Sequence, residues 1–214
     1  MNRRNKIIFT IFLVILLMAN CGMGQSLEKN SSKTDFEQYI SLFEDIELPV
    51  VLDDAFLNAN FIIKKEPIKA DFIELFIKKN EEFGVGESLF DYYKFYPMVK
   101  FHISSSIIGI IHAEIGIAGG AEDRCILNLY TINGEKTDEL IVWEYLSEGT
   151  YFSEITSIIT LNKISLVTTG TEINEDEDSG KEIYNETYRE EKEYSIDTVH
   201  GKIEIKKNNT IKSK

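Results

Sequence analysis

Apolar and polar residues alternate along much of the segment 96–169, and this period of two predicts a β-meander there. Its clearest unit is a hairpin over residues 124–143, with Asn133-Gly134 as the turn, because a type I′ turn needs positive φ at both central residues. The turn predicts these opposing pairs: Leu127 with Leu140 and Cys125 with Val142 on one face, Ile126 with Ile141 and Arg124 with Trp143 on the other. We expect the first face to be buried.

A further hairpin is predicted from strands 96–103 and 107–117, joined at three consecutive serines whose small polar side chains suit a turn. Centring the turn on Ser105 makes one face uniformly apolar: Pro97, Val99, Phe101, Ile103, Ile107, Gly109, Ile111 and Ala113. The opposite face then carries Met98, Lys100, His102, Ile108, Ile110, His112 and Glu114. Because it carries two histidines and two charged groups, we interpret the second face as outward and solvated.

Two segments ahead of the strands have the apolar spacing of amphipathic helices, at residues 35–46 and 70–80. Their apolar stripes predict packing on a core rather than ligand binding. A last, very polar hairpin is predicted around His200-Gly201, with strands 182–198 and 202–207.

These elements predict an α+β fold, a predominantly antiparallel β-meander of about eight strands with two N-terminal helices packed on the sheet. Curling of the meander into a closed barrel or a sandwich is the alternative. Along the chain we predict a signal peptide at 1–20, a flexible tether at 21–34, one α+β domain at 35–207 and a disordered tail at 208–214.

The N-terminal residues have the composition of an export signal. A basic start precedes the apolar run 7–18, which is shorter than the ~20 residues of a membrane-spanning helix. The run ends in Leu17-Met18-Ala19-Asn20-Cys21, which resembles a bacterial lipobox at its cysteine and alanine and departs from it at its methionine and asparagine. The resemblance implies cleavage before Cys21, lipidation of Cys21, and anchoring to a membrane of the bacterial cell envelope, facing the periplasm or the cell surface.

Cleavage by an ordinary signal peptidase is the alternative, because Gly22-Met23-Gly24 places small residues at both required positions before Gln25. Beyond the leader, the alternation of short β segments with Asn-Gly and His-Gly turns is similar to that of small uncharacterised β-rich bacterial lipoproteins. That similarity implies no particular activity.

The net charge limits the classes of binding partner, and the two cysteines are considered with it. The formal net charge of −13 repels a phosphate backbone, so we expect no nucleic-acid binding, whereas a basic protein partner would be attracted. Of the two cysteines, Cys125 alternates with apolar residues, and we expect it to be buried and unreactive. Cys21 and Cys125 are therefore expected to act separately.

The clearest candidate for chemistry is His112 with Glu114, because residues two apart on a strand share a face and a carboxylate can orient an imidazole for proton transfer. Lys100 and His102 lie along the same predicted face. The acidic turn at 174–180 lacks the glycine and the final glutamate of a calcium loop. We therefore predict neither a metal site nor a cofactor.

Three functions are compatible with these features. The favoured one is a membrane-tethered, non-catalytic binding or envelope protein. The alternatives are an immunity-type protein whose acidic surface binds a basic toxin, and a hydrolase that uses His112 and Glu114. Because no nucleophile and base stand at a recognised spacing, we do not expect an enzyme.

Overall fold

The computed structural model describes residues 33–60, 65–77, 89–117, 123–149, 151–175 and 182–213. The strands are β1 (Glu44–Asp45), β2 (Val50–Leu52), β3 (Tyr93–His102), β4 (Ile107–Gly116), β5 (Asp123–Thr131), β6 (Lys136–Glu148), β7 (Tyr151–Ile159), β8 (Lys163–Glu175), β9 (Glu182–Asp197) and β10 (Lys202–Ser213). The helices are α1 (Lys33–Ile40), α2 (Asp54–Asn60), α3 (Ala70–Phe72), which continues as a π-helical turn (Ile73–Ile77), and α4 (Leu89–Tyr92).

The described strands form one sheet in the order β1-β3-β4-β5-β6-β7-β8-β9-β10, with β2 pairing with β7. The pairings are antiparallel except that of β1 with β3. The predicted β-meander is therefore confirmed. Each long strand reaches the next through a short local turn where the loop is described, as the alternation of apolar runs and turn residues indicated.

Two hydrophobic cores lie on opposite faces of β3 to β5. The inner core includes Val50, Leu52, Val99, Phe101, Ile111, Leu127, Val142, Ile159, Ile164 and Ile196. The helix-side core lies between the sheet and the short helices and includes Phe36, Tyr39, Phe43, Ile73, Phe76, Phe95, Ile108, Ile110 and Tyr130. Because successive residues of a strand point to opposite faces, β4 and β5 contribute to both cores.

The helix-side core corrects the interpretation of the His112 face as outward and solvated. His112 and Glu114 are both completely buried, and Ile110 beside them is also completely buried. The helical segments supply the cover, because their aromatic side chains pack directly on this face of β4 and β5. An outward face was predicted from its polar residues alone, which do not reveal whether another layer lies above them.

The helical segments differ from the two predicted helices in length and number. Helix α1 ends at Ile40 rather than 46, and residues 44 and 45 instead form β1 beside β3. The Lys100 ammonium donates to the carbonyls of Ile40 and Phe43, which satisfies oxygens at the end of α1. The second predicted helix is observed as α3 with its π-helical turn, up to Ile77, and residues 78–80 lie outside the described part.

The central hairpin has the predicted register in its middle and departs from it at both ends. Leu127 opposes Leu140, and Ile126 opposes Ile141, as predicted. Beyond them the register shifts, so the predicted pairs of Cys125 with Val142 and Arg124 with Trp143 are wrong: Cys125 opposes Trp143 and Arg124 opposes Glu144. Only glycine has positive φ at the turn, with Gly134 at 89°, so the turn is not type I′.

The β3–β4 hairpin follows the predicted register from His102 opposite Ile108 to Val99 opposite Ile111. A bulge at Met98 then places Pro97, rather than Met98, opposite His112. The predicted apolar face is confirmed for its large residues, which belong to the inner core. The prediction is wrong at the bulge, because Met98, predicted on the opposite face, also belongs to that core.

Strand β10 continues through the segment for which a disordered tail was predicted. It pairs with β9 as far as Ser213, opposite Thr187. The reason is that β9 is long enough to offer backbone partners to the whole segment, whose polar side chains can remain solvated at the sheet edge. In the described part of the chain, no helix is long and apolar enough to cross a membrane.

Candidate functional site

The candidate site is a buried polar cluster of four residues, His112, Glu114, Arg124 and Asn128. The first two belong to β4 and the last two to β5, and the antiparallel register places Glu114 directly opposite Arg124. All four project on the side of the helix-side core. Backbone pairing of the two strands therefore assembles the polar cluster without a contribution from a flexible loop.

Glu114 is the anionic centre of the polar cluster. Its Oε2 accepts from Arg124 Nε at 2.8 Å and lies 2.7 Å from Arg124 Nη2. The guanidinium also lies over the Tyr93 ring, 5.3 Å from its centroid. Burial alone would lower the pKa of Arg124, but attraction and hydrogen bonding to Glu114 raise it above its usual value. Arg124 is thus held as a charged guanidinium beside Glu114.

The two ring nitrogens of His112 have different partners. Nδ1 lies 2.9 Å from Asn128 Nδ2, and Nε2 lies 3.3 Å from Glu114 Oε1. An amide nitrogen can only donate, so Nδ1 accepts, and Nε2 carries the proton that points to the carboxylate. This assignment leaves Asn128 Oδ1 as a buried oxygen without a partner among the described residues. With the Asn128 amide in this orientation, the imidazole is the tautomer protonated at Nε2.

This arrangement is poorly suited to general acid–base chemistry. A general base needs an accessible lone pair within reach of the substrate proton. In His112 the Nδ1 lone pair faces Asn128, the ring is completely buried, and Phe95 packs beside it at 5.9 Å between ring centroids. Both oxygens of Glu114 are already engaged. The polar cluster therefore joins two strands and leaves no reacting group exposed.

The other residues predicted on this face are separate from the polar cluster. Lys100 is bound at the end of α1 and lies 3.3 Å from Asp45 Oδ2. His102 is exposed at the end of β3. Ser104 accepts from the backbone N–H groups of Ser106 and Ile107, as a turn residue does.

Cys125 faces the inner core, as the alternation of the strand predicted. Its thiol is buried, 3.4 Å from Met98 Sδ, and burial raises its pKa well above the usual value. A thiolate is the reactive form, so this cysteine is inert at neutral pH. Cys21 lies outside the described residues, as does most of the acidic turn, at 176–181.

A cleft of about 400 Å³ opens beside the polar cluster, and we call it the β6 cleft. Its apolar lining is Ile77, Ile126, Leu140, Ile141, Ile155, Leu166 and Tyr194. Its polar lining is Glu114, Arg124, Glu139, Thr168 and Lys192. In the described residues, no group of three or more histidine, cysteine, aspartate or glutamate side chains is placed to hold a metal ion.

Sequence reasoning missed Arg124 and Asn128 as partners of the His112–Glu114 pair. The available signal was positional: Glu114 follows an apolar run and Arg124 precedes the next one, so an antiparallel pairing of the two runs brings opposite charges together. The β6 cleft had no comparable signal, because it depends on strands far apart in the chain.

Comparison with known proteins finds no similar protein. No family model matches the chain, and no curated protein or solved structure is significantly similar to it.

Proposed function

We propose that this protein is a non-catalytic binding protein, anchored to a membrane of the bacterial cell envelope through lipid on Cys21. One observation carries the non-catalytic part of the proposal. His112 and Glu114, the pair best suited to proton transfer by sequence, are completely buried and engaged with Asn128 and Arg124. A hydrolase that used this pair would need one of them to reach a substrate.

The proposal treats residues 35–207 as one α+β domain in which the two N-terminal helical segments form a layer on the sheet. Supporting this view, side chains of α1 and of the π-helical turn share the helix-side core with β3, β4 and β5. A polar cluster beneath such a layer serves to fix the packing of the two strands.

An immunity-type function would rest on the net charge of −13 and on an acidic surface open to a basic toxin. Strand β9 is the most acidic strand, but three of its five glutamates are paired with cations. Glu190 pairs with Lys192, Glu191 with Arg189 and Glu193 with Lys163. This local neutralisation weakens the case for an acidic docking face on β9, so we keep the toxin partner as a secondary alternative.

The anchor is tested by the Cys21→Ser variant of the full chain. We expect wild-type protein to remain with membranes through a high-salt wash and to be released by detergent, because acyl burial contributes ~0.8 kcal/mol per CH₂ and does not depend on salt. Cys21→Ser should accumulate as precursor, whereas Cys125→Ser should not. A wild-type N-terminus at Gln25 without acyl mass would disprove the anchor.

The absence of catalysis is tested with His112→Gln, which keeps a polar side chain of similar reach. Wild-type and variant protein are compared on ester, amide and phosphoester substrates, after thermal unfolding has shown that the variant is folded. We expect the same background turnover in both. A folded variant that loses tenfold or more of a wild-type turnover would establish a hydrolase and overturn the proposal.

A further inference from the structure

We infer that the β6 cleft binds a small amphipathic molecule with an apolar body and a carboxylate head group. The inference rests on the proposed binding function and assigns it a place and a ligand class. Four features support it: how the cleft forms, what lines its walls, which donors remain at its polar end, and its size.

The β6 cleft forms where β6 and β7 separate. Strand β6 begins at Lys136, but it pairs with β7 only from Glu144 to Glu148. Beyond Ile155, the same edge of β7 is taken by β2, with Leu52 opposite Ser157. The first half of β6 is thus left without a β7 partner, and the gap extends toward β8 and β9. The cleft is therefore fixed by regular strands rather than by a loop.

Apolar side chains from five strands and one helical turn meet in this gap. Leu140, Ile155 and Tyr194 are only half-buried at the margin of the inner core, and Ile141 is half-buried beside them. Ile77 closes one side from the helical layer. Apolar groups that line a concave wall and keep partial exposure favour an apolar ligand body, which removes them from water.

The polar lining includes two cations that carry hydrogen-bond donors, Arg124 and Lys192. Glu114 Oε2 takes both Nε and Nη2 of Arg124, so this guanidinium is engaged with a carboxylate of the lining. Lys192 uses one donor for Glu190, 2.6 Å away, and has two more. The lining carboxylates are already paired, Glu114 with Arg124 and Glu139 with Lys136. The unused donors of Lys192 therefore complement an anionic oxygen head.

The size of the β6 cleft selects the ligand class. Its volume of about 400 Å³ is near the lower end of the range of about 300–1,000 Å³ found for small-molecule sites. A folded partner or a long peptide does not fit this space. A molecule with a short alkyl or alicyclic body and one carboxylate does.

The test is calorimetric titration of the full chain in lipid nanodiscs, with the heat of empty nanodiscs subtracted. Octanoate is the probe. Octanol has an alkyl chain of similar length without the carboxylate, and acetate has the carboxylate without the alkyl chain. We expect octanoate to bind saturably at one site, octanol to bind about fivefold to tenfold more weakly, and acetate not to bind. Equal binding of octanoate and octanol would refute the carboxylate preference, and absence of octanoate binding would refute the site.

Variants locate the site on the structure. Ile155→Trp fills the β6 cleft and should weaken octanoate binding by at least about tenfold, whereas Ile205→Trp on exposed β10 should not. Lys192→Gln should weaken octanoate about threefold to tenfold and leave octanol unchanged, with Lys206→Gln as its control. Unfolding midpoints establish that each variant is folded, and Leu140→Phe replaces Ile155→Trp if the latter is not. Undiminished binding in folded cleft variants would overturn the inference.

The ligand is recovered after each titration and analysed by mass spectrometry. Unchanged octanoate that binds in a cleft-dependent manner supports both the inference and the non-catalytic proposal. Chemically altered octanoate would refute the non-catalytic proposal while leaving the site in place. Loss of the inferred site would not affect the membrane-anchor test, which uses Cys21 alone.

Discussion

At the scale of single residues, the polar cluster shows how a charge is kept inside this fold. A buried carboxylate loses its hydration, and that loss is offset only where good partners replace water. Glu114 has a guanidinium on one oxygen and an imidazole N–H on the other. Removing one partner of Glu114 should therefore lower the free energy of unfolding more than removing Glu114 together with that partner.

We predict that Arg124→Met lowers the free energy of unfolding by about 3 kcal/mol, because Glu114 is then a buried charge without its counterion. The double variant with Glu114→Gln should recover at least half of that loss. Urea unfolding at neutral pH measures both. Arg189→Met removes the exposed partner of Glu191 and should cost less than about 1 kcal/mol, so an equal effect of the two arginines would contradict this account.

Asp197 gives a prediction for pH dependence. A hydrogen bond from His200 and backbone donors at Val199 and His200 lower the pKa of Asp197 to about 2. In the unfolded chain the pKa of an aspartate is ~3.9. Because the folded-state pKa is lower, ionised Asp197 stabilises the fold above pH ~4, and this contribution is lost as the pH falls from ~4 toward 2. Asp197→Asn should show a shallower loss of stability over that window. If the free energy of unfolding fell equally steeply with pH in wild type and variant between pH ~4 and 2, the prediction would be wrong.

At the scale of elements, the strands and the face of the inner core could be predicted from alternation alone, whereas the bulges could not. Leu127 pairs with Leu140 as the pattern required, but one extra residue near Val142 brings Cys125 opposite Trp143. A bulge is selected by packing of both neighbouring strands, which the local sequence does not contain. The same limit explains the burial of His112, because the helical layer that covers it lies far away in the sequence.

Substitution of Leu127 tests where the inner core is centred. It is completely buried at the centre of that core, so Leu127→Ala should lower the free energy of unfolding by ~2–5 kcal/mol. Ile132→Ala, on a side chain that is 48% exposed in the adjacent turn, is the control and should change stability little. Chemical denaturation compares the two, and a loss below about 1 kcal/mol for Leu127→Ala would mean that the core is centred elsewhere.

Gly170 shows why a strand interior holds a glycine. The Tyr188 ring lies across it, and a Cβ at residue 170 would come within 2.0 Å of that ring. The Tyr188 hydroxyl bonds to that of Tyr151, and this bond and burial raise the pKa of Tyr151. We predict that Gly170→Ala displaces the ring, costs about 1–3 kcal/mol and returns the pKa of Tyr151 toward its usual value.

Ultraviolet titration of tyrosine ionisation measures the last effect. Gly149→Ala is the matched control, because residue 149 also sits in the sheet region but has no atom within 4 Å of its added Cβ. It should be strained by its positive φ of 59° without any change in tyrosine ionisation. A Gly170→Ala variant with a wild-type tyrosine titration would show that the ring does not depend on the glycine.

At the scale of the whole molecule, the two cores share strands. Ile110 belongs to the helix-side core, and its neighbour Ile111 belongs to the inner core. The same alternation places Tyr130 and Leu129 in different cores. Because neither core can lose its strands without disrupting the other, the domain should behave as a single cooperative unit.

This cooperativity can be measured with two local probes. Trp143 is the single tryptophan and reports on the inner core by fluorescence, while hydrogen exchange of α1 reports on the helix-side core. We predict coincident denaturant midpoints for the two signals. Earlier exchange of α1, at denaturant concentrations that leave Trp143 fluorescence native, would show that the helical layer opens independently.

The composition of the inner core also has a consequence for the order of events during synthesis. Leu52 packs in the same core as Ile196, although much of the chain separates them. A ribosome releases Leu52 long before Ile196, so the growing chain must hold its early apolar strands exposed until β9 has emerged. Contacts between such distant residues form slowly, since a long loop must close before they contribute. Nascent intermediates that end before β9 are thus the species most dependent on chaperone protection.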